Sequence, residues 1–138
     1  MRKVLAAAAV AIAAVGIAAP AANAGTNYRV TVTCTVPNRQ PERQLASNWC
    51  LNYLPDGTQT FTAHVKDGSG HPVAGATVKW TDSDSRDARF RAAQNPCTTG
   101  SRGTCSAELA DTHPRSGEKI TVTATVSGVS AKGYLSFK

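Results

Sequence analysis

Phe61-Thr-Ala-His-Val-Lys-Asp-Gly-Ser-Gly-His-Pro-Val-Ala-Gly-Ala-Thr-Val-Lys-Trp80 sets two alternating apolar runs on either side of a turn cluster built from Gly68, Gly70, Pro72 and Gly75. In the first run Phe61, Ala63 and Val65 fall on one side and Thr62, His64 and Lys66 on the other; in the second, Ala76, Val78 and Trp80 oppose Thr77 and Lys79. A period of two marks a strand with one buried and one wet face. The stretch therefore reads as strand, turn, strand, with Trp80 as a large aromatic packed between two sheets. Gly68 and Gly70 let the connection reach positive φ, Pro72 presets φ where no ladder donor is wanted, and Gly75 permits a bulge or a close approach. All of these are backbone roles. Nothing in the stretch is reaction chemistry, which favours a binding or structural module over an enzyme.

Working outward, the same alternation runs over 28–36, where Tyr28, Val30, Val32, Cys34 and Val36 share a face, and over 119–127, where Ile120, Val122, Ala124 and Val126 do. Shorter strand signals lie at 89–91, 104–110 and 131–137. Residues 37–48 carry two prolines, charges and amides and read as a solvent loop. Trp49, Leu51, Tyr53 and Leu54 supply apolar weight that fits either a strand or a short helical turn. About seven short strands, turn signals roughly every ten residues and no helical periodicity past the N-terminus predict an all-β sandwich.

At the N-terminus Arg2 and Lys3 precede an Ala/Val/Ile run, and Ala22-Asn23-Ala24 offers small residues for cleavage. This is the pattern of a secretory signal peptide over 1–24, with no stable membrane span after its removal. About 114 residues then remain from Gly25 to Lys138, one domain of ordinary size. The formal charge of +6 falls to about +4 with the loss of Arg2 and Lys3. A mildly basic surface suits an anionic wall polymer or polysaccharide. Nucleic acid is not expected, because the basic residues are scattered and no helix or aromatic platform organises them.

Cys34, Cys50, Cys97 and Cys105 are an even set in a chain expected to be secreted, so they predict two disulfides. Of three pairings, Cys34 with Cys50 and Cys97 with Cys105 close the local loops, the second across the Gly100-Ser-Arg-Gly103 turn. Bridges this local are not expected to join two sheets. The spacings offer no C-x-x-C and no finger-like His, which argues against zinc or redox chemistry.

The segment Asp67-Gly-Ser-Gly-His-Pro-Val-Ala-Gly-Ala-Thr-Val78 resembles the bacterial Ig-like domains of the invasin and intimin type, whose repeats carry a D-x-x-G-x-P-V-x-G-x-x-V pattern. Cys97-Thr-Thr-Gly-Ser-Arg-Gly-Thr-Cys105 stands where those repeats have a hairpin, and Ile120-Thr-Val-Thr-Ala-Thr-Val126 is similar to their penultimate strand. The likeness is strongest over 58–138. It implies an immunoglobulin-like sandwich used as an extracellular spacer or adhesion module, whose partner is an extracellular protein or a wall polymer.

Candidate sites are few. Arg39, Arg43 and Trp49 lie in or at the end of the loop closed by the Cys34 to Cys50 bridge, the expected recognition surface of a rigid scaffold. Arg86, Arg89 and Arg91 form a candidate anion-binding strip. Asp82-Ser-Asp-Ser-Arg-Asp87 groups three carboxylates, but it lacks the glycine and distant glutamate of an EF-hand and places Arg86 among them; no metal site and no cofactor are expected there. His64, His71 and His113 read as surface histidines, and no motif positions a serine nucleophile, so no catalytic residues are expected. The alternatives are a carbohydrate-binding module and a secreted proteinase inhibitor. The cysteine spacing around Val32-Thr-Cys-Thr-Val-Pro37 is similar to that of the subtilisin-inhibitor family, although no matching reactive loop is found near Cys97.

Overall fold

The computed structural model describes residues 27–36 and 42–138; the expected signal segment and Arg39 lie outside them. Ten strands follow in order: β1 (Arg29–Cys34), β2 (Arg43–Ala46), β3 (Trp49–Asn52), β4 (Thr58–Lys66), β5 (Thr77–Asp82), β6 (Ala88–Phe90), β7 (Cys97–Thr98), β8 (Thr104–Asp111), β9 (Lys119–Val126) and β10 (Val129–Phe137). A 3₁₀ turn, Ala92–Gln94, lies between β6 and β7. A four-stranded sheet ordered β1-β4-β8-β6 packs on a six-stranded sheet ordered β2-β3-β10-β9-β5-β7. The chain is an all-β immunoglobulin-like sandwich, as the alternation predicts.

The expected count of about seven strands is too low. The additions are β2, β3 and β7, of four, four and two residues. Segments this short give alternation too little length to be visible. One of them corrects the reading of 37–48 as loop: Arg43 to Ala46 pair antiparallel with β3 as the edge of the larger sheet. Trp49–Asn52 is strand, and runs parallel to β10.

The core is filled from both sheets by the inward positions that the period of two marks. Phe61, Ala63 and Val65 come from β4, Ala107 and Leu109 from β8, Val78 and Trp80 from β5, and Ile120 to Val126 alternately from β9. Trp80 is buried against Phe90, with ring centroids 5.3 Å apart, and its indole N–H donates to Cys97 Sγ at 3.3 Å. Asn95 brackets the same residue, accepting from its backbone N–H and donating to its carbonyl, both at 2.9 Å. A tryptophan held at backbone and side chain fixes how the strand after the turn meets the opposite layer.

Both disulfides pair as the spacing predicts. Their placement overturns the expectation that local bridges stay within one layer. Cys34 on β1 and Cys50 on β3 belong to opposite sheets and are 1 % and 0 % exposed. Cys97 on β7 and Cys105 on β8 also belong to opposite sheets. The Gly100 to Gly103 turn therefore does not close a hairpin. It carries the chain from one layer to the other, closed by the Gly103 N–H to Gly100 carbonyl bond.

The Phe61 to Trp80 unit behaves in the same way. Its two strands, β4 and β5, lie in different sheets and touch at the turn only through the Lys66 to Pro72 bridge. Gly70 and Gly75 hold φ of 86° and 77°, while Gly68 needs no positive φ. Open space surrounds the position of a Cβ on Gly75, so that glycine serves turn geometry and not a close approach.

Candidate functional site

The outward face of the six-stranded sheet is built by the residues that alternate with the core. From β3 it takes Trp49 and Leu51, from β5 Thr77, Lys79 and Thr81, from β9 Lys119 and Thr121 to Thr125 alternately, and from β10 Ser130, Lys132, Tyr134 and Ser136. Across these four strands the face carries three lysines, a row of hydroxyls and no carboxylate. Register places Trp49 directly beside Tyr134, and Tyr134 beside Thr121.

At one side the aromatic pair forms a fixed platform. The rings of Trp49 and Tyr134 meet edge to face at 6.0 Å and 61°. The Trp49 indole N–H donates to Ser136 Oγ at 2.9 Å, which holds the ring on the sheet. Lys119 Nζ stands 4.3 Å from both ring centroids, a cation drawn to two π faces. Both rings are half-buried, so a rigid apolar surface is presented beside a positive charge and donors. Chemically, such a surface can stack on a flat C–H face and meet hydroxyls or an anionic group.

Of the expected recognition residues, Trp49 lies in this platform. Arg43 is exposed on edge strand β2, and Arg39 lies outside the described residues. Sequence reading did not find Tyr134 and Lys119. The available signal was their outward position in strands whose inward positions are apolar, but their meeting with Trp49 depends on the parallel pairing of β3 with β10.

The three arginines of the expected anion-binding strip are all exposed. Arg86 lies in the loop after β5, Arg89 projects from β6, and Arg91 is neutralised by Glu108 through Nε at 2.7 Å and Nη2 at 2.6 Å. The histidines are partnered locally. His64 Nε2 meets Thr33 Oγ1 at 2.9 Å, and His71 lies 3.6 Å from Asp67. His113 Nδ1 meets both Thr112 Oγ1 at 3.0 Å and Asp87 at 3.4 Å. Because the hydroxyl and the carboxylate share one ring nitrogen, this trio does not have the two-sided relay that activates a nucleophile.

The Asp82 to Asp87 loop folds on itself. Asp84 Oδ1 accepts from the backbone N–H of Arg86 at 3.1 Å and of Asp87 at 3.4 Å, and the Arg86 bond chiefly holds the Asp84 carboxyl below its ordinary range. Burial pushes the Asp82 and Glu118 carboxyls above theirs. Asp87 takes Arg115 at 3.1 Å. No helix among the described residues is long and apolar enough to cross a membrane.

The family model described as "Bacterial Ig-like domain (group 1)" matches residues 52–138. No curated protein sequence matches the chain. Among solved structures, a β-glycosidase from Bacteroides vulgatus aligns with TM-score 0.51 and 16 % identity over 77 % of this chain. Domains 4 and 5 of the S-layer protein SbsC align with TM-score 0.48 and 14 % identity over 63 % of it. The chain spans 14 % and 45 % of the lengths of these two, and the likeness concerns fold. The family match begins after Trp49, so the platform joins a residue outside the matched span to two within it.

Proposed function

The chain belongs to the group 1 bacterial Ig-like domain family, and on that premise we propose that it is exported and acts outside the cell as a non-enzymatic module that holds an anionic polysaccharide of the cell surface. The observation that carries this reading is the outward face of the six-stranded sheet: three lysines, a row of hydroxyls, the Trp49–Tyr134 platform and no carboxylate. Two disulfides staple the sandwich, which suits an oxidising compartment. The N-terminal 24 residues supply the export signal. The flat sheet face binds an extended polymer by stacking and charge, whereas a reactive inhibitor loop would project from the scaffold.

The test is co-sedimentation of the mature chain with purified cell wall, before and after its anionic polymers are stripped. Binding is expected to the intact wall and to fall on stripping. Replacing Trp49 by Ala removes an interface anchor, an effect of about 2 kcal/mol or roughly 30-fold in affinity. Lys132→Gln, at an exposed position, weakens binding without touching the core. Equal binding by both variants would remove the reading, and stoichiometric inhibition of subtilisin or trypsin would replace it with the inhibitor role.

A further inference from the structure

At the pole of the sandwich where β5 and β8 end and β9 begins, Asp84, Asp111 and Glu118 each bring one carboxylate oxygen to within 4.8 Å of the others. Asp84 comes from the loop after β5, Asp111 from the end of β8 and Glu118 from the turn just before β9, each on an anchored segment. Ser83 exchanges hydrogen bonds with Thr121 on β9, its N–H to the Thr121 carbonyl and the Thr121 N–H to its Oγ, both at 2.9 Å. Asp111 on β8 donates its N–H to the Gly57 carbonyl at 2.9 Å. The Glu118 turn is tied to β10, its carbonyl accepting from Phe137 at 3.1 Å.

Asp111 sets this cluster apart from a mere gathering of surface acids. It ends the inward row of β8 that begins with apolar side chains, and it is only 6 % exposed. Its Oδ1 accepts the His113 backbone N–H at 2.8 Å, but its buried Oδ2 has no hydrogen-bond partner. A buried carboxylate oxygen left unpaired costs free energy unless a cation or proton meets it. The neighbouring cations pair with Asp87, Arg115 at 3.1 Å and His113 at 3.4 Å; Arg115 acts on Asp84 only through space and meets Glu118 Oε2 only through its backbone N–H, at 3.0 Å. None of the ion pairs among the described residues includes Asp84, Asp111 or Glu118.

We propose that Asp84, Asp111 and Glu118 form a Ca²⁺ site at this pole. Three carboxylates with no nitrogen or sulfur donor are a hard-oxygen set, and Ca²⁺ at roughly 2.3–2.6 Å from each oxygen spaces its ligands by up to about 5 Å. The ion supplies the charge that Asp111 Oδ2 lacks and ties the ends of β5, β8 and β9 together. The site recruits one carboxylate of the Asp82 to Asp87 loop; the others come from the two strand ends that the fold brings beside it.

The experiment is calorimetric titration of the mature chain, stripped with EDTA, with CaCl₂, together with thermal unfolding in EDTA and in CaCl₂. One ion per chain is expected, at the roughly 10⁻⁴–10⁻³ M dissociation constants of extracellular calcium modules, with a rise in Tm at saturation. Asp84→Asn and Glu118→Gln lie on less buried side chains and test the site even if Asp111→Asn does not fold; each weakens Ca²⁺ by roughly tenfold or more. No binding heat and no Tm rise at several times those concentrations overturns the site, as does an unchanged dissociation constant in both variants. Tighter binding of Mg²⁺ than of Ca²⁺ overturns the choice of ion. Trp49→Ala leaves Ca²⁺ binding intact, so this site and the polysaccharide face stand or fall separately.

Discussion

Gly103 shows how much a single residue without a side chain can decide. Its φ is +69°, and a Cβ placed there would stand 2.5 Å from the Val65 carbonyl oxygen and 2.9 Å from both Pro72 Cβ and Val73 N. The Val65 N–H donates to the Gly103 carbonyl at 2.7 Å, so the contact is part of how the turn after β4 seats on the turn before β8. Gly103→Ala incurs both left-handed strain and overpacking against backbone that cannot yield, together roughly 2–4 kcal/mol. Urea unfolding is expected to show that loss, and Gly100→Ala, in open space without positive φ, is expected to stay close to the parent. Asp67 is a second case. Its Oδ1 accepts from the N–H groups of Ser69 and His71, both at 2.9 Å, and the His71 bond is the main cause of a carboxyl pKa below the ordinary value. A depressed folded pKa means that the contribution to stability is present above the unfolded value and is lost as pH falls through the folded one. Acid titration followed by NMR should show the Ser69 and His71 amides moving together below the ordinary carboxylate range; movement at that ordinary value would contradict the assignment.

At the scale of elements the disulfides matter most. Each closes a short loop, with sequence separations of 16 and 8, yet each also bolts a strand of one sheet to a strand of the other. Loop-closure entropy alone assigns about 3 kcal/mol to the first and about 2.5 kcal/mol to the second. Changing Cys34 and Cys50 together to Ala is expected to lower the unfolding free energy measured in urea by at least that first amount, because two fully buried positions in the core also lose volume. An unfolding free energy within about 1 kcal/mol of the parent's would show that the bridge is dispensable. How legible these elements were depends on their length. The eight- and nine-residue strands β4, β8, β9 and β10 have enough turns of the pleat for alternation to appear. Strands β2 and β7 are held by pairing with a neighbour and carry no pattern of their own; every residue of β2 is exposed.

For the whole molecule the distribution of charge is more telling than its total. The net charge of +6 is modest, but one broad face holds Lys79, Lys119 and Lys132 without a carboxylate, while Asp84, Asp111 and Glu118 collect at one pole. Exposed lysines act on a polyanion through water, where added salt screens them over about 10 Å at 0.1 M and about 3 Å at 1 M. Binding to an anionic wall polymer should therefore weaken steeply as salt rises, while the contribution of Trp49, which rests on ring contact, persists. Retention measured at several ionic strengths checks this, and salt-independent retention would assign the affinity to the aromatic pair alone.

Sequence alone determined what is local. The period of two, read at Phe61 to Val65 and Ile120 to Val126, named strands and their buried faces, because burial on one side of a pleat leaves its mark on every second residue. Cysteine spacing pointed to the disulfide pairing, and Trp49 stood out as an aromatic at the end of the loop that a bridge closes. The tertiary structure alone decided which strands share a sheet. β4 and β5 have equivalent patterns and a turn between them, and nothing in either tells whether they pair or part. That choice follows from pairings between distant segments, such as β3 with β10 and β5 with β9. Those pairings make both local disulfides cross between layers, set Tyr134 and Lys119 beside Trp49, and draw Asp84, Asp111 and Glu118 to one pole. A strand's pattern records that one face is buried, and it carries no record of which partner buries it.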